Sequence, residues 1–175
     1  MLDGCRALLS IANVTTPFVF DQLLKSIRPF GTVTLLSSLM CEVVKVLTIT
    51  NTEEETWSSV ARDILLDTWT ALLVPLDSTG GNAMLPPEGI SAAGNLFTLI
   101  VESELKAAAS SALTDDVDSD YLHASVSAMD ERLSSYALIA RAAIDVTIPL
   151  LMKLFSERFS RLNQGFLFPR IGHVV

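Results

Sequence analysis

Cysteine, histidine and charge are all scarce in this chain of 175 residues. It has two cysteines and two histidines, and charged residues make up 18% of it. The spacing of Cys5 and Cys41 matches no metal-binding or redox motif. We expect Cys41, which falls in an apolar helical pattern, to be a reduced thiol in the core. The composition therefore predicts neither a metal site nor a cofactor.

Long apolar runs are also missing. The longest uncharged stretch covers residues 7–20 and contains Pro17, whereas a membrane-spanning helix needs about 20 apolar residues. The N-terminus places Asp3 ahead of Arg6 and has only a short apolar run, which makes a poor signal peptide. We therefore expect no membrane insertion and an intracellular location. The mean hydropathy of +0.45 then favours helices that bury more than one face.

Basic residues are outnumbered by acidic ones. The chain has 12 lysines and arginines against 20 aspartates and glutamates, which gives a net charge of −8. A nucleic-acid-binding protein needs a basic patch to contact phosphates, and the sequence contains none. We therefore expect no nucleic-acid binding, and a surface of this charge favours basic protein partners.

Catalytic motifs are absent as well. His123 and His173 lie far apart in the sequence, and neither has a nucleophile pattern beside it. The pair Gly80-Gly81 lacks the lysine and the serine or threonine of a phosphate-binding loop. Because each polar group has a simpler structural explanation, we predict that the chain is not an enzyme and has no catalytic residues.

Helical periodicity, by contrast, is present almost throughout. Apolar residues recur at intervals of three and four, and strand-like alternation does not persist. Thr52 and Glu55 have the spacing of a capping box at a helix start. The pattern predicts an all-α chain with helices at 2–12, from Pro17 to before Pro29, from Thr32 to about residue 50, from Thr52 to Pro75, from about Glu88, from about residue 121, and at 143–162. Loops are predicted at 75–89 and 114–120.

The predicted helices recur at a regular interval. Three of them start near residues 55, 88 and 121, a spacing of roughly 33 that is typical of helical repeats. We therefore predict that residues 1–164 form antiparallel helix pairs stacked as a HEAT-like right-handed α-solenoid segment, followed by an irregular tail at 165–175. A closed helix bundle is the alternative.

Pro149 lies in the last predicted helix. Its apolar row is Ile148, Leu151, Met152, Phe155, Phe159 and Leu162. A proline inside a helix costs about 3 kcal/mol, and packing of such a row can offset this. HEAT-type helices often contain an internal proline, which is one interpretation of Pro149. The other is that Pro149 begins a new helix after a break near Asp145.

Three segments together resemble a known family. They are "RDILLDTWTALL" (62–73), "DDVDSDYL" (115–122) and "ERLSSYALIARAAIDVTIPLLMKLFSERFSRL" (131–162). Their amino-acid sequences and helical pattern resemble those of the exportin-4 group of nuclear export receptors, in particular its plant members. This group belongs to the importin-β superfamily of karyopherins. Members of that family are far longer, so the resemblance implies an internal fragment or a truncated product.

The resemblance implies a binding scaffold for nuclear export. Its expected partners are Ran-GTP, a protein cargo such as translation factor 5A, and the phenylalanine-glycine repeats of nuclear pore proteins. The expected location is the nucleus and cytoplasm, between which such receptors shuttle. A generic HEAT or armadillo adaptor, unrelated to transport, is the alternative function.

The acidic loop is the one candidate binding site. Its members are Asp115, Asp116, Asp118 and Asp120, and acidic loops in importin-β relatives can contact Ran or cargo. The interpretation favoured from the sequence is nevertheless a solvated linker in which Asp118 or Ser119 caps the next helix. A calcium site is disfavoured, because the segment lacks the glycine and the distal glutamate of an EF-hand loop.

Overall fold

Helices are the regular secondary structure in the part of the chain that the structure describes. The computed structural model describes residues 2–50, 57–74, 85–111 and 119–166. Its seven helices are α1 (Leu2–Ala12), α2 (Pro17–Lys25), α3 (Thr32–Thr50), α4 (Trp57–Leu73), α5 (Pro87–Ser111), α6 (Ser119–Ala142) and α7 (Ile144–Phe166). These four ranges contain no strand, so the predicted all-α class is confirmed.

Several helix ends follow signals in the sequence. The N–H of Val19 donates to Thr16 Oγ1 at 3.4 Å, which caps α2, and Pro17 takes the first helical position, where no N–H is needed. α4 ends at Leu73, two residues before Pro75. The capping box predicted at Thr52 and Glu55, most of the predicted loop at 75–89, and residues 167–175 of the predicted tail lie outside the described residues.

The helices pack in two rows. In the first row α1 contacts α4 and α4 contacts α6; in the second row α2 contacts α3, α3 contacts α5, and α5 contacts α7. Further contacts between α3 and α4, between α5 and α6, and between α6 and α7 join the rows. The core between them is made of large side chains such as Trp69, Leu36, Met40, Leu65 and Leu96, which are fully buried.

Interhelical hydrogen bonds fix the direction of α3 and α5. Near their N-terminal ends Ser37 Oγ donates to the carbonyl oxygen of Ala92 at 2.9 Å, and towards their C-terminal ends the hydroxyls of Thr48 and Ser103 lie 2.8 Å apart. Because both contacts join residues in the same order along the two helices, α3 and α5 run parallel.

A buried carboxylate organises the junction between α2 and α3. Asp21 Oδ1 accepts the N–H of Val33 at 3.2 Å in the first turn of α3, and its other oxygen lies 2.9 Å from Lys25 Nζ. A negative group at a helix N-terminus satisfies a free N–H and interacts favourably with the helix dipole. The carboxylate lies so close to Gly31 that a Cβ there would overlap it, which explains the glycine.

The boundary between α6 and α7 settles the position of Pro149. α6 ends at Ala142 and α7 begins at Ile144, so Pro149 lies inside α7. The interpretation that Pro149 begins a new helix is therefore wrong, although a helix boundary does occur close to Asp145. Both Asp145 and Pro149 are exposed, so water can satisfy the Asp145 carbonyl that the proline leaves without an N–H partner.

Candidate functional site

The structure leaves the predicted acidic loop mostly undescribed. Asp115, Asp116 and Asp118 lie outside the described residues, and Asp120 lies in the first turn of α6 without a described side chain. Ser119 is the first residue of α6. The grouping of the four carboxylates, and the cap predicted from Asp118 or Ser119, remain predictions from the sequence.

The two cysteines are ordinary packing groups. Cys5 is buried and Cys41 is half-buried against the core, and both are free thiols. Burial raises the pKa of each thiol above its usual value, which lowers the fraction of reactive thiolate. Cys41 packs against the core as predicted, with the difference that it is only partly enclosed.

A buried tyrosine contacts a glutamate between α5 and α6. Tyr136 donates its hydroxyl to Glu104 Oε1 at 3.0 Å, and burial together with this carboxylate raises the pKa of Tyr136 to about 12. A neutral phenol at this position ties the two helices together. We therefore assign the pair a structural role.

The ionic contacts of Lys25 are also structural. Its ammonium group contacts Asp21 and, at 2.8 Å, Glu88 Oε2 in the first turn of α5. Hydrogen bonds to these two carboxylates raise the pKa of Lys25. One lysine thus links α2 to α5 across the start of α3.

A shallow cavity of about 190 Å³ lies between α3 and α5. It is lined by Lys45, Thr48, Leu99, Ser103 and Lys106. Lys45 is paired with Glu42 at 2.6 Å. Because Thr48 donates to the Val44 carbonyl oxygen, Ser103 must be the donor in the Thr48–Ser103 bond, and neither hydroxyl has a proton left for a ligand.

The described residues contain no group of three histidine, cysteine, aspartate or glutamate side chains that would hold a metal ion. Within the same ranges, each helix is too short or too polar to cross a membrane.

The most unusual surface is the apolar face of α7. Of the row predicted to pack into the structure, Ile148, Leu151, Met152, Phe155 and Phe159 are all exposed, with Met152 at 65% and Phe155 at 70%. Between residues 151 and 161 only Leu154 is even partly covered. The helical periodicity of this row was predicted correctly, but the described helices do not cover it.

Other positions show the same difference. Trp57, Ile90 and Leu133 take part in the apolar spacing of three and four residues from which the helices were predicted, yet they are exposed. By contrast Trp69, Leu72 and Ile100, from the same kinds of row, are buried. Periodicity identifies the apolar face of a helix, whereas the neighbouring helices decide how much of its length is covered.

A second uncovered apolar surface surrounds α2. Its exposed side chains are Val14, Phe18, Val19, Leu23, Ile27 and Phe30. We did not predict this surface from the sequence. The available signal was the clustering of large apolar residues within and on both sides of a nine-residue helix that also buries Phe20. α2 and α7 occupy opposite ends of the second row, so apolar surface is uncovered at both ends.

Comparisons with family models, curated proteins and solved structures found no match to this chain.

Proposed function

We propose that the chain is a protein-binding scaffold, built as a HEAT-like right-handed α-solenoid segment of antiparallel helix pairs. The two-row packing supports this architecture, since each helix contacts its neighbours in its own row and a helix of the other row. The parallel course of α3 and α5 also supports it, because equivalent helices of successive repeats run in the same direction. In such arrays each repeat contacts only the adjacent ones.

The main support for this proposal is the exposed apolar surface on α2 and α7, at the two ends of the second row. Repeat arrays bury their apolar faces by stacking, and end repeats need a polar outer face if nothing follows them. Here Phe18 and Ile27 are exposed beside α2, at 64% and 74%, while Phe155 and Phe159 are exposed on α7. A closed bundle would turn these side chains inward, so their exposure favours an open array that binds further protein.

We further propose that this scaffold is a segment of a Ran-GTP-dependent nuclear export receptor. The sequence resemblance to the exportin-4 group supports this proposal, and the net charge of −8 suits basic protein partners. Ran-GTP, a protein cargo such as translation factor 5A, and nuclear pore repeats are the proposed partners. The scaffold itself is not catalytic, and it acts in the nucleus and cytoplasm.

A HEAT or armadillo adaptor outside transport is the second candidate. The two-row packing supports it equally, because that observation concerns architecture and not the identity of the partner. The two candidates differ in whether binding depends on the nucleotide carried by Ran.

A binding assay with purified components separates these functions. The immobilised chain is incubated with Ran loaded with a non-hydrolysable GTP analogue or with GDP, in the presence of translation factor 5A. We expect stronger retention of the GTP form. Equal retention of both forms, or of neither, contradicts the transport proposal, and the scaffold proposal then stands alone.

The acidic loop is tested in the same assay. Changing Asp115, Asp116, Asp118 and Asp120 to asparagine together is expected to weaken Ran or cargo retention, because it removes four negative charges from one segment. A control that changes the exposed residues Asp3, Asp67, Asp130 and Asp145 to asparagine alters the net charge equally. Equal effects of the two variants would show that only overall charge matters and would reject the loop as a site.

A further inference from the structure

The segment 155–161 of α7 is exposed on all sides but apolar on only one. All residues from 155 to 161 are exposed, and they span nearly two helical turns. The large apolar side chains Ile148, Met152, Phe155 and Phe159 follow one another at intervals of four, three and four. An apolar stripe this narrow, with alternating spacing, is the pattern of a two-stranded coiled-coil seam.

We propose that α7 is a dimerisation helix, which pairs in antiparallel orientation with α7 of a second copy of this chain. The twofold axis passes close to Phe155. In this arrangement Met152 of each copy packs beside Phe159 of the other. The pairing concerns this chain by itself, and it holds whether or not the chain binds Ran.

The exposed area is large enough for such a pair. Phe155 and Phe159 are 70% and 56% exposed, and their rings stack with centroids 6.3 Å apart, so they form one continuous apolar surface. Covering these rings together with Ile148, Leu151 and Met152 in two copies removes roughly 1,000 Å² from water, the size at which specific interfaces begin. An isolated helical extension of this length is marginally stable in water, and pairing supplies the missing contacts.

The way α7 is attached to the other helices favours the antiparallel orientation. α7 packs on them through its N-terminal part, where Thr147 is buried and Leu150 is partly buried against the core, whereas residues 155–161 are exposed. A parallel pair would bring both helical bodies to the same end of the paired helices, where they would compete for the same space. An antiparallel pair centred on Phe155 leaves the two bodies at opposite ends.

The mass of the chain in solution tests the proposal. Sedimentation velocity of the whole chain is expected to shift from one chain mass of 18.9 kDa towards twice that mass as the concentration rises from about 1 to about 100 µM. The variant Phe155→Glu is expected to remain monomeric, because it places two carboxylates at the twofold axis. Circular dichroism verifies that its helices are retained.

A matched control tests whether α7 is the interface. Phe18 in α2 is exposed to a similar extent, 64% against 70%, so Phe18→Glu makes the same change on the other uncovered face. We expect Phe18→Glu to dimerise like the unaltered chain. A monomeric unaltered chain at the highest concentration overturns the proposal, and so does dimerisation that is lost in Phe18→Glu but retained in Phe155→Glu.

Disulfide trapping tests the orientation. In the antiparallel pair, a mixture of Met152→Cys and Phe159→Cys chains is expected to form a mixed disulfide, whereas Met152→Cys alone is not expected to link to itself through residue 152. Efficient self-linking of Met152→Cys would show a parallel pair and overturn the proposed geometry.

Discussion

Two glycines, Gly31 and Gly94, differ in whether their surroundings leave room for a side chain. At Gly31 an added Cβ would overlap the buried carboxylate of Asp21, whereas at Gly94, inside α5, it would meet Val146 and Ala143 at ordinary contact distances of 3.4 and 3.5 Å. We expect Gly31→Ala to lower the free energy of unfolding by about 1–3 kcal/mol. Gly94→Ala is expected to raise it by roughly 0.5–1 kcal/mol, since alanine is the better helix former. Urea denaturation of the two variants measures both changes, and a loss of stability in Gly94→Ala would contradict the described packing of α5 against α7.

The raised pKa of Tyr136 predicts a pH dependence of stability at the residue scale. The pKa of this phenol is about 12 in the folded chain and about 10 in an unfolded one. The folded state therefore binds the phenolic proton more tightly, and its contribution is fully present below pH 10 and lost as the pH rises towards 12. We expect a loss on the order of 2 kcal/mol across this window.

Absorbance at the phenolate band during a pH titration measures this ionisation. The chain has two tyrosines, so replacing Tyr136 with phenylalanine identifies its component. That variant is expected to lose the late ionisation and to be destabilised by about 1 kcal/mol, because Glu104 loses its donor. A late component that persists in the variant would assign it to another group.

At the scale of the elements, the hydroxyl of Thr147 joins α6 to α7. Thr147 is buried, and its Oγ1 donates to the carbonyl oxygen of Ala140 in the last turn of α6 at 2.9 Å. We expect Thr147→Val, which keeps the shape and removes the donor, to reduce stability by about 1 kcal/mol. The matched change Thr98→Val removes a bond within α5 to the Gly94 carbonyl oxygen and is expected to alter stability by less than about 0.5 kcal/mol. Thermal unfolding compares the stability of the two variants. Equal losses of stability would show that the Thr147 hydrogen bond does not hold α6 and α7 together.

The elements also show where the sequence was informative. Pro17 marked the start of α2, Pro75 the end of α4, and periodicity gave the apolar row of α7, because these signals are local. The start of the last helix was predicted at residue 143, and α7 begins at Ile144. The hydrogen bond from Thr147 to the Ala140 carbonyl oxygen across this boundary was not predicted.

For the whole molecule, stability is expected to vary strongly from one helix to another. α4 contains the buried residues Leu65, Trp69 and Leu72, whereas residues 155–161 of α7 are all exposed. In dilute protein, hydrogen exchange of the amides in 151–161 is expected to be at least about tenfold faster than in α4. Raising the protein concentration is expected to slow exchange in that segment only, because dimerisation covers it. Exchange that is equally slow in both helices at low concentration would contradict this picture.

The sequence by itself determined the helical class, the approximate position of most helices and the acidic balance, since periodicity, capping residues and charge act over a few residues. It also located apolar faces such as that of α7, although not the apolar surface around α2. Only the tertiary structure decided which of those faces are covered. Burial of Ala93 and exposure of Phe155 follow from where the neighbouring helices lie, and those positions depend on long-range contacts such as Ser37 with Ala92 and Asp21 with Val33.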